Sequence, residues 1–532
     1  MEEIPQIQTF KGKWSVIKTK LNDFPTQLKD LSDFPNFSSN LLSSDLLNSI
    51  YVTLTDTLSL AHKCRNPSLS VGKLRTQSDI DSIGAKLDQH GKDCELLIKS
   101  GVLQESCGSS SMNSKRELVR VEARSLITRL QIGGQESKNA AMDSLLRLLS
   151  EDDKNVLIAV AQGAVPVLVR LLDSSCVEIK EKAVTAISRV SMVDSSKHVL
   201  IAEGVLLLNH LLRVLESGSG FAKEKACIAL QALSFSKENA RTIGTRGGIS
   251  SLLEICQAGT ASSQSVAAGV LRNLAWFPDI KPNLIEENVI PVLISLAHSG
   301  TTVAQENAVS CLCNLVIDDE NLKILIVREG GIECLKNFWD GASSGKRLEA
   351  AVALLRNLAS CRPIADIIVS NGFIPRIVGV LSSGVSSLRI VAARAVYELG
   401  YCTKWRKDIG ECGGVPPLVK MLDAKAVEER DIAAKTLSSL MHYVGNRRIF
   451  RKDEIGIIGT VQLLDPSIHN LDKKYPVSIL FLIVQSKRCR KQMLASGAYA
   501  YLQKLTEMEV EGARKLLESL GPGKLWGVFA RT

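Results

Sequence analysis

The chain has 532 residues, 45% of them hydrophobic but only 5% aromatic, with 65 Lys+Arg against 56 Asp+Glu for a formal charge of +9. A chain this long outgrows one compact core, and an aliphatic, aromatic-poor core suits stacked helices rather than sheets. The charge is too modest to indicate nucleic acid, and 13 scattered cysteines without a C-x-x-C pair or Cys/His cluster argue against zinc and for a reduced compartment.

The opening MEEIPQIQTF lacks the basic start and apolar run of a signal peptide, and Glu2 stands where myristoylation needs glycine. The apolar run Ile479 to Val484 falls far short of a membrane span. A soluble intracellular protein, cytoplasmic or nuclear, without a transmembrane segment is expected.

Residues 1–108 read as an N-terminal helical bundle. Trp14 to Leu31 carries an apolar stripe (Val16, Ile17, Leu21, Phe24, Leu28, Leu31) that Pro25 interrupts. Leu41 to Cys64 gives a second stripe and Asp79 to Leu103 a third. Short polar joints such as Arg65 to Ser68 favour antiparallel neighbours. The run SCGSSSMNS from Ser106 to Ser114 reads as a flexible tether, so a linker is placed at 109–115.

From 116 to 532 the chain repeats. Leu118 to Leu130 and Asn139 to Leu149 form an incomplete first unit. The phrase AAGVLRNLA at Ala267 returns as AVSCLCNLV at Ala308 and AVALLRNLA at Ala351, at steps of 41 and 43 residues. A second phrase, "Gly, apolar, apolar, Pro", stands in phase as GAVPVL from Gly163, NVIPVL from Asn288, GFIPRI from Gly372 and GVPPLV from Gly414. Degenerate copies begin at Gly204, Gly248, Gly331, Gly456 and Gly497. Glycine past a helix end adopts the left-handed conformation that stops it, and proline fits the first turn of the next helix. Loops such as 173–177 and 382–386 then lead to a third helix. About nine such three-helix units are predicted, none able to bury its apolar faces alone.

A unit of about 42 residues with these phrases in phase resembles the armadillo repeat, most closely that of plant armadillo-repeat proteins. The resemblance implies an all-α, right-handed superhelical solenoid. More loosely, the N-terminal bundle, with Lys92-Asp93-Cys94-Glu95-Leu96-Leu97, is similar to the helical domain preceding the U-box of plant ubiquitin ligases; the U-box itself is missing. In the armadillo family the third helices line a groove that holds an extended peptide through asparagines. The resemblance therefore implies a partner-binding groove at Arg272, Asn273, Asn314, Arg356, Asn357 and Arg189. Other slots of the ladder hold Ala232, Glu398, Ser439 and Phe481. The alternative for each Asn is a bond to a neighbouring interhelix loop.

Nuclear-import adaptors of this family carry Trp four residues before each Asn, where this chain has Gly269, Ser310 and Ala353; Trp276 follows its Asn and points elsewhere. A basic patch is expected at Arg447, Arg448, Arg451, Lys452, Lys487, Arg488, Arg490 and Lys491, with Lys473 and Lys474 nearby. It is either a surface for an acidic or phosphorylated partner or anionic lipid, or a solvated face. The seven His never cluster, Gly244, Gly247 and Gly248 lack the context of a phosphate loop, and Cys311 and Cys313 read as core filler. No catalytic residue, metal or cofactor is expected. The leading expectation is a non-catalytic scaffold or adaptor for a protein partner; the alternatives are an accessory subunit in ubiquitin ligation and, last, a nuclear-import adaptor.

Overall fold

The computed structural model describes residues 3–65, 72–103, 115–342 and 345–521, and every regular element among them is helical. By compactness the chain divides into two units, residues 1–251 and 252–532.

In the first unit, helices Lys11–Ser32, Leu41–Lys63 and Lys73–Ser100 form the N-terminal bundle, the third packing against both others. Trp14, Ile17, Phe24 and Leu31 meet Leu46 and Ile50 of the second helix and Ile80, Leu87 and Leu97 of the third in one buried cluster. Each such side chain contributes roughly 1.5–3 kcal/mol by leaving water. Asn40 caps the second helix, its side-chain oxygen accepting the Leu42 amide at 2.9 Å.

Pro25 does not interrupt the first helix, contrary to the sequence expectation. The helix runs through it, because buried Phe24 and Leu31 on either side hold the stripe together against one lost backbone bond. The third helix begins at Lys73, six residues before the predicted Asp79. The tether at 106–114 lies outside the described residues. Lys115, placed in the linker, instead opens the helix Lys115–Ile132, which packs on the third bundle helix. The bundle thus shares a compact unit with the first repeats.

The incomplete repeat is Lys115–Ile132 with Gln135–Glu151. Full triplets follow: Asp153–Ala161, Ala164–Leu171 and Val177–Ser191, then Lys197–Ala202, Gly204–Ser217 and Gly220–Leu233. The first and second helices of a triplet bend sharply against each other, by 86° about Gly163 and 100° at the next turn.

The second unit stacks the third helices Ala261–Leu274, Thr302–Leu315, Gly345–Ala359, Ser386–Leu399, Val427–Leu440, Lys474–Ile483 and Ala513–Leu520, each packed on the next. Ala267, Ala268, Val270, Leu271 and Leu274 are fully buried. Small residues at those positions let neighbouring backbones approach, while leucines fill the spaces between. Here the bend between first and second helix is 91° at Arg362–Ser370 and Phe373–Val380.

The turn phrase needs correction at four positions. In the Gly247-Gly248, Gly330-Gly331 and Gly413-Gly414 pairs the left-handed residue is the first glycine (φ +76°, +87° and +86°), not the second. Gly331 is needed for room, since a Cβ there would sit 2.4 Å from Ile326 Cγ2. Gly456 makes no turn either: it lies in helix Glu454–Gln462, whose N-terminus Asp453 caps by accepting the Gly456 amide at 2.9 Å. No single helix among the described residues is long and apolar enough to cross a membrane.

Candidate functional site

The last four carbonyls of an α-helix have no partner inside it. In this chain four slot residues of the third helices supply one from the next repeat. Asn314 Nδ2 donates to the Arg272 carbonyl at 3.1 Å, and Asn357 Nδ2 to the Cys313 carbonyl at 3.2 Å. Each therefore caps the C-terminal turn of the preceding third helix, across about one repeat of sequence. In the first unit Arg189 Nε does the same for the Leu149 carbonyl at 3.0 Å, while its Nη2 meets Asp153 at 2.6 Å. Ser439 Oγ reaches the Gly400 carbonyl at 3.4 Å. The slot thus ties repeats together where Arg189, Asn314, Asn357 or Ser439 fills it, whereas Ala232 and Phe481 offer no side-chain donor and Glu398 makes no such bond among the described residues.

Arg272 is also held inside the stack. It donates to Asn273 Oδ1 from Nη2 at 3.1 Å and to Asn307 Oδ1 from Nη1 at 2.8 Å. Asn307 in turn donates to the Ser265 carbonyl at 2.8 Å. Sequence reasoning missed Asn307, though a signal was present: it lies two turns before Asn314 on the same face of Thr302–Leu315. Arg356 is different. It is half-buried and makes no hydrogen bond or ion pair among the described residues. The Oδ1 atoms of Asn314 and Asn357 likewise accept nothing among those residues.

Around this cluster the chemistry is inert. Cys311 is buried, and burial pushes the half-buried Cys313 thiol up to about 11, with Arg356 and Lys281 opposing that rise. Both thiols stay protonated and unreactive. Lys281 donates to the Leu315 carbonyl at 3.3 Å, and burial lowers its affinity for the proton. Trp276, one turn past its slot, is 66% exposed, and Ile317 holds the same place one repeat later, also exposed.

The C-terminal basic residues separate into two kinds. Lys473, counted with the surface charge, is buried, its Nζ donating to the Leu463 and Asp465 carbonyls at 3.0 and 2.6 Å. It closes the loop before Lys474–Ile483, and Lys474 pairs with Asp472 at 2.8 Å. Arg488 pairs with Glu454 at 2.5 Å, and Arg490 donates to the Val484 carbonyl. Arg447, Arg448, Arg451, Lys452, Lys487 and Lys491 make no such bond among the described residues.

A polar cavity of about 870 Å³ lies within the first unit, lined by Leu46, His90, Asp93, Arg129, Ser137 and Lys138 among others. Thr53 donates its hydroxyl to the Ser49 carbonyl, so it accepts from His90 Nε2 at 2.9 Å. Nδ1 of the buried imidazole is then a bare acceptor, and it has no partner. Burial, helped by Lys86, lowers the His90 pKa below 6.5, whereas burial raises that of Asp93.

Comparison with known proteins places these features in context. Residues 1–102 match a family described as a domain of unknown function, DUF7032. Residues 152–192 and 277–317 match the armadillo/β-catenin-like repeat, each match running from the start of a first helix to the end of a third. Junction plakoglobin of Rattus norvegicus is 25% identical over 310 residues, covering 53% of this chain and 41% of plakoglobin. The chain therefore spans less than half the length of that relative. The crystal structure of an engineered protein from the Northeast Structural Genomics Consortium superposes with a TM-score of 0.65 at 25% identity, covering 75% of this chain and 98% of that one. Two stretches of the chain thus match the armadillo repeat, and its fold is the all-α helical-repeat fold.

Proposed function

We propose that the chain is a non-catalytic protein-interaction scaffold, and that the third-helix face around Asn314, Arg356 and Asn357 holds an extended segment of a partner protein. One observation carries this reading: Arg356 is a half-buried guanidinium with no hydrogen bond or ion pair among the described residues, one residue before Asn357 and one repeat after Asn314, whose Nδ2 atoms are already anchored. Anchoring fixes each amide plane, so Oδ1 is presented as an acceptor to a peptide N–H, and Arg356 as a fork for a carboxylate. The armadillo repeats and the likeness to plakoglobin support a scaffold of this kind. Of the six residues singled out in the sequence, Arg189, Arg272 and the buried Asn273, whose Oδ1 accepts from Arg272, serve the stack, so the partner contact narrows to Arg356 and the oxygens of Asn314 and Asn357.

The test is quantitative affinity purification of the intact chain and its Arg356→Ala variant from the same extract. Partners recovered with the wild type should be depleted about tenfold with the variant, as loss of a charge-assisted bond predicts. Equal recovery of every partner would refute the site.

A further inference from the structure

The last two first helices, Val444–Phe450 and Lys487–Ala495, contain no acidic residue. Of the cations on and just after them, Arg447, Arg448, Arg451, Lys452, Lys487 and Lys491 engage no acceptor among the described residues, and the Nε atoms of Arg447 and Arg451 are buried without a partner. The nearby acids are already engaged. Asp453 caps helix Glu454–Gln462, and Glu454 pairs with Arg488. That pair also fixes helix Glu454–Gln462 against Lys487–Ala495, with which it packs.

Aliphatic side chains stand out of the same elements. Ile455 is 72% exposed; Ile458, one turn on, and Ile449 and Leu494 from the two basic helices are exposed too. A soluble face with cations alone is ordinary. Cations without counter-charges around protruding isoleucines are not, because exposed isoleucine gains nothing from water.

Three partner chemistries meet this description differently. Nucleic acid would call for aromatic platforms, and the exposed apolar groups on Val444–Phe450, Glu454–Gln462 and Lys487–Ala495 are aliphatic, exposed Phe481 belonging to the third helix Lys474–Ile483. Protein interfaces favour aromatic residues and are depleted in lysine. An anionic bilayer takes both features together: four to eight Lys and Arg near the surface attract acidic headgroups, long basic stems snorkel, and aliphatic tips enter the acyl boundary.

We infer that the exposed side chains of helices Val444–Phe450, Glu454–Gln462 and Lys487–Ala495 dock peripherally on an anionic membrane surface, with Ile455 and Ile458 entering the headgroup region and Arg448, Lys452, Lys487 and Lys491 meeting lipid phosphates and carboxylates. This surface is separate from the Arg356 face, so either proposal can fail alone.

Co-sedimentation of the full chain with phosphatidylcholine vesicles, with and without about 30% phosphatidylserine, tests it. Binding should require the anionic lipid and fall steeply between low and physiological salt. The variant R448E/K452E/K487E/K491E should bind at least about 100-fold more weakly, and I455S/I458S about tenfold more weakly with its charge untouched. Circular dichroism melts of both variants should match the wild type, since every changed residue is exposed. No preference for anionic over neutral vesicles would overturn the inference. So would binding that survives the isoleucine variant, or tight binding to a poly-glutamate peptide by a chain that ignores the vesicles.

Discussion

The third helices of the central repeats and the first helices of the last two repeats are both rich in polar side chains, yet those side chains live differently. In the central third helices almost every polar group that recurs in sequence has a partner one repeat away: Asn314 on the Arg272 carbonyl, Asn357 on Cys313, Arg272 on Asn307. In the basic helices most cations have none. The contrast teaches that recurrence marks what a repeat array needs for stacking. Groups available to other molecules are found by asking which polar atoms the stack leaves unanswered, and by that question Arg356 belongs with the C-terminal cations rather than with its own neighbours.

The largest effect should come from a bond deep in the stack. Arg389 forks onto Glu429 at 2.6 and 3.0 Å, and Glu429 is buried. Glu429→Ala should cost about 3 kcal/mol by taking the carboxylate from a guanidinium left with only the Ser383 carbonyl, seen as a lowered urea midpoint. A cost below about 1 kcal/mol would mean that the stack does not rely on such pins. Next, Asn314→Ala exposes one helix-terminal carbonyl and should cost about 1 kcal/mol; Asn314→Asp, which cannot donate, should do no better. If Asn314→Ala were neutral in stability, the slot would have to be reassigned from stacking to binding.

His90 offers a smaller and intermediate case, a buried group only half satisfied. Its folded pKa lies below the unfolded 6.5, so the unfolded chain takes up the proton first. The associated stability is therefore present above about 6.5 and lost as pH falls through the folded value. Melts of the wild type should drop over that window, and His90→Gln should flatten the drop. An unchanged slope would place the pH dependence elsewhere in the chain.

Much of the architecture was legible because period and turn chemistry are local. The in-phase phrases located the triplets, and the predicted helix Leu41 to Cys64 ends within one residue of the observed one. Failures occurred where tertiary packing overrides a local rule. Pro25 is tolerated because the bundle core grips both sides of it, and Gly456 answers to Val419 Cγ1, 2.8 Å from where its Cβ would lie, not to a turn. At the candidate site, spacing could show that Asn314 recurs but not whom it bonds. That depends on the register between adjacent third helices, which also hides Asn307; the burial of Lys473 depends instead on how the preceding loop turns the Leu463 and Asp465 carbonyls onto it.

The most direct test of the account is one substitution measured two ways. Arg356→Ala should leave the urea midpoint within about 0.5 kcal/mol of wild type, since no bond in the stack is lost, while the partners recovered by the intact chain fall about tenfold. A variant that is destabilised by more than 1–2 kcal/mol, or that keeps its partners in full, would show that Arg356 belongs to the stack after all.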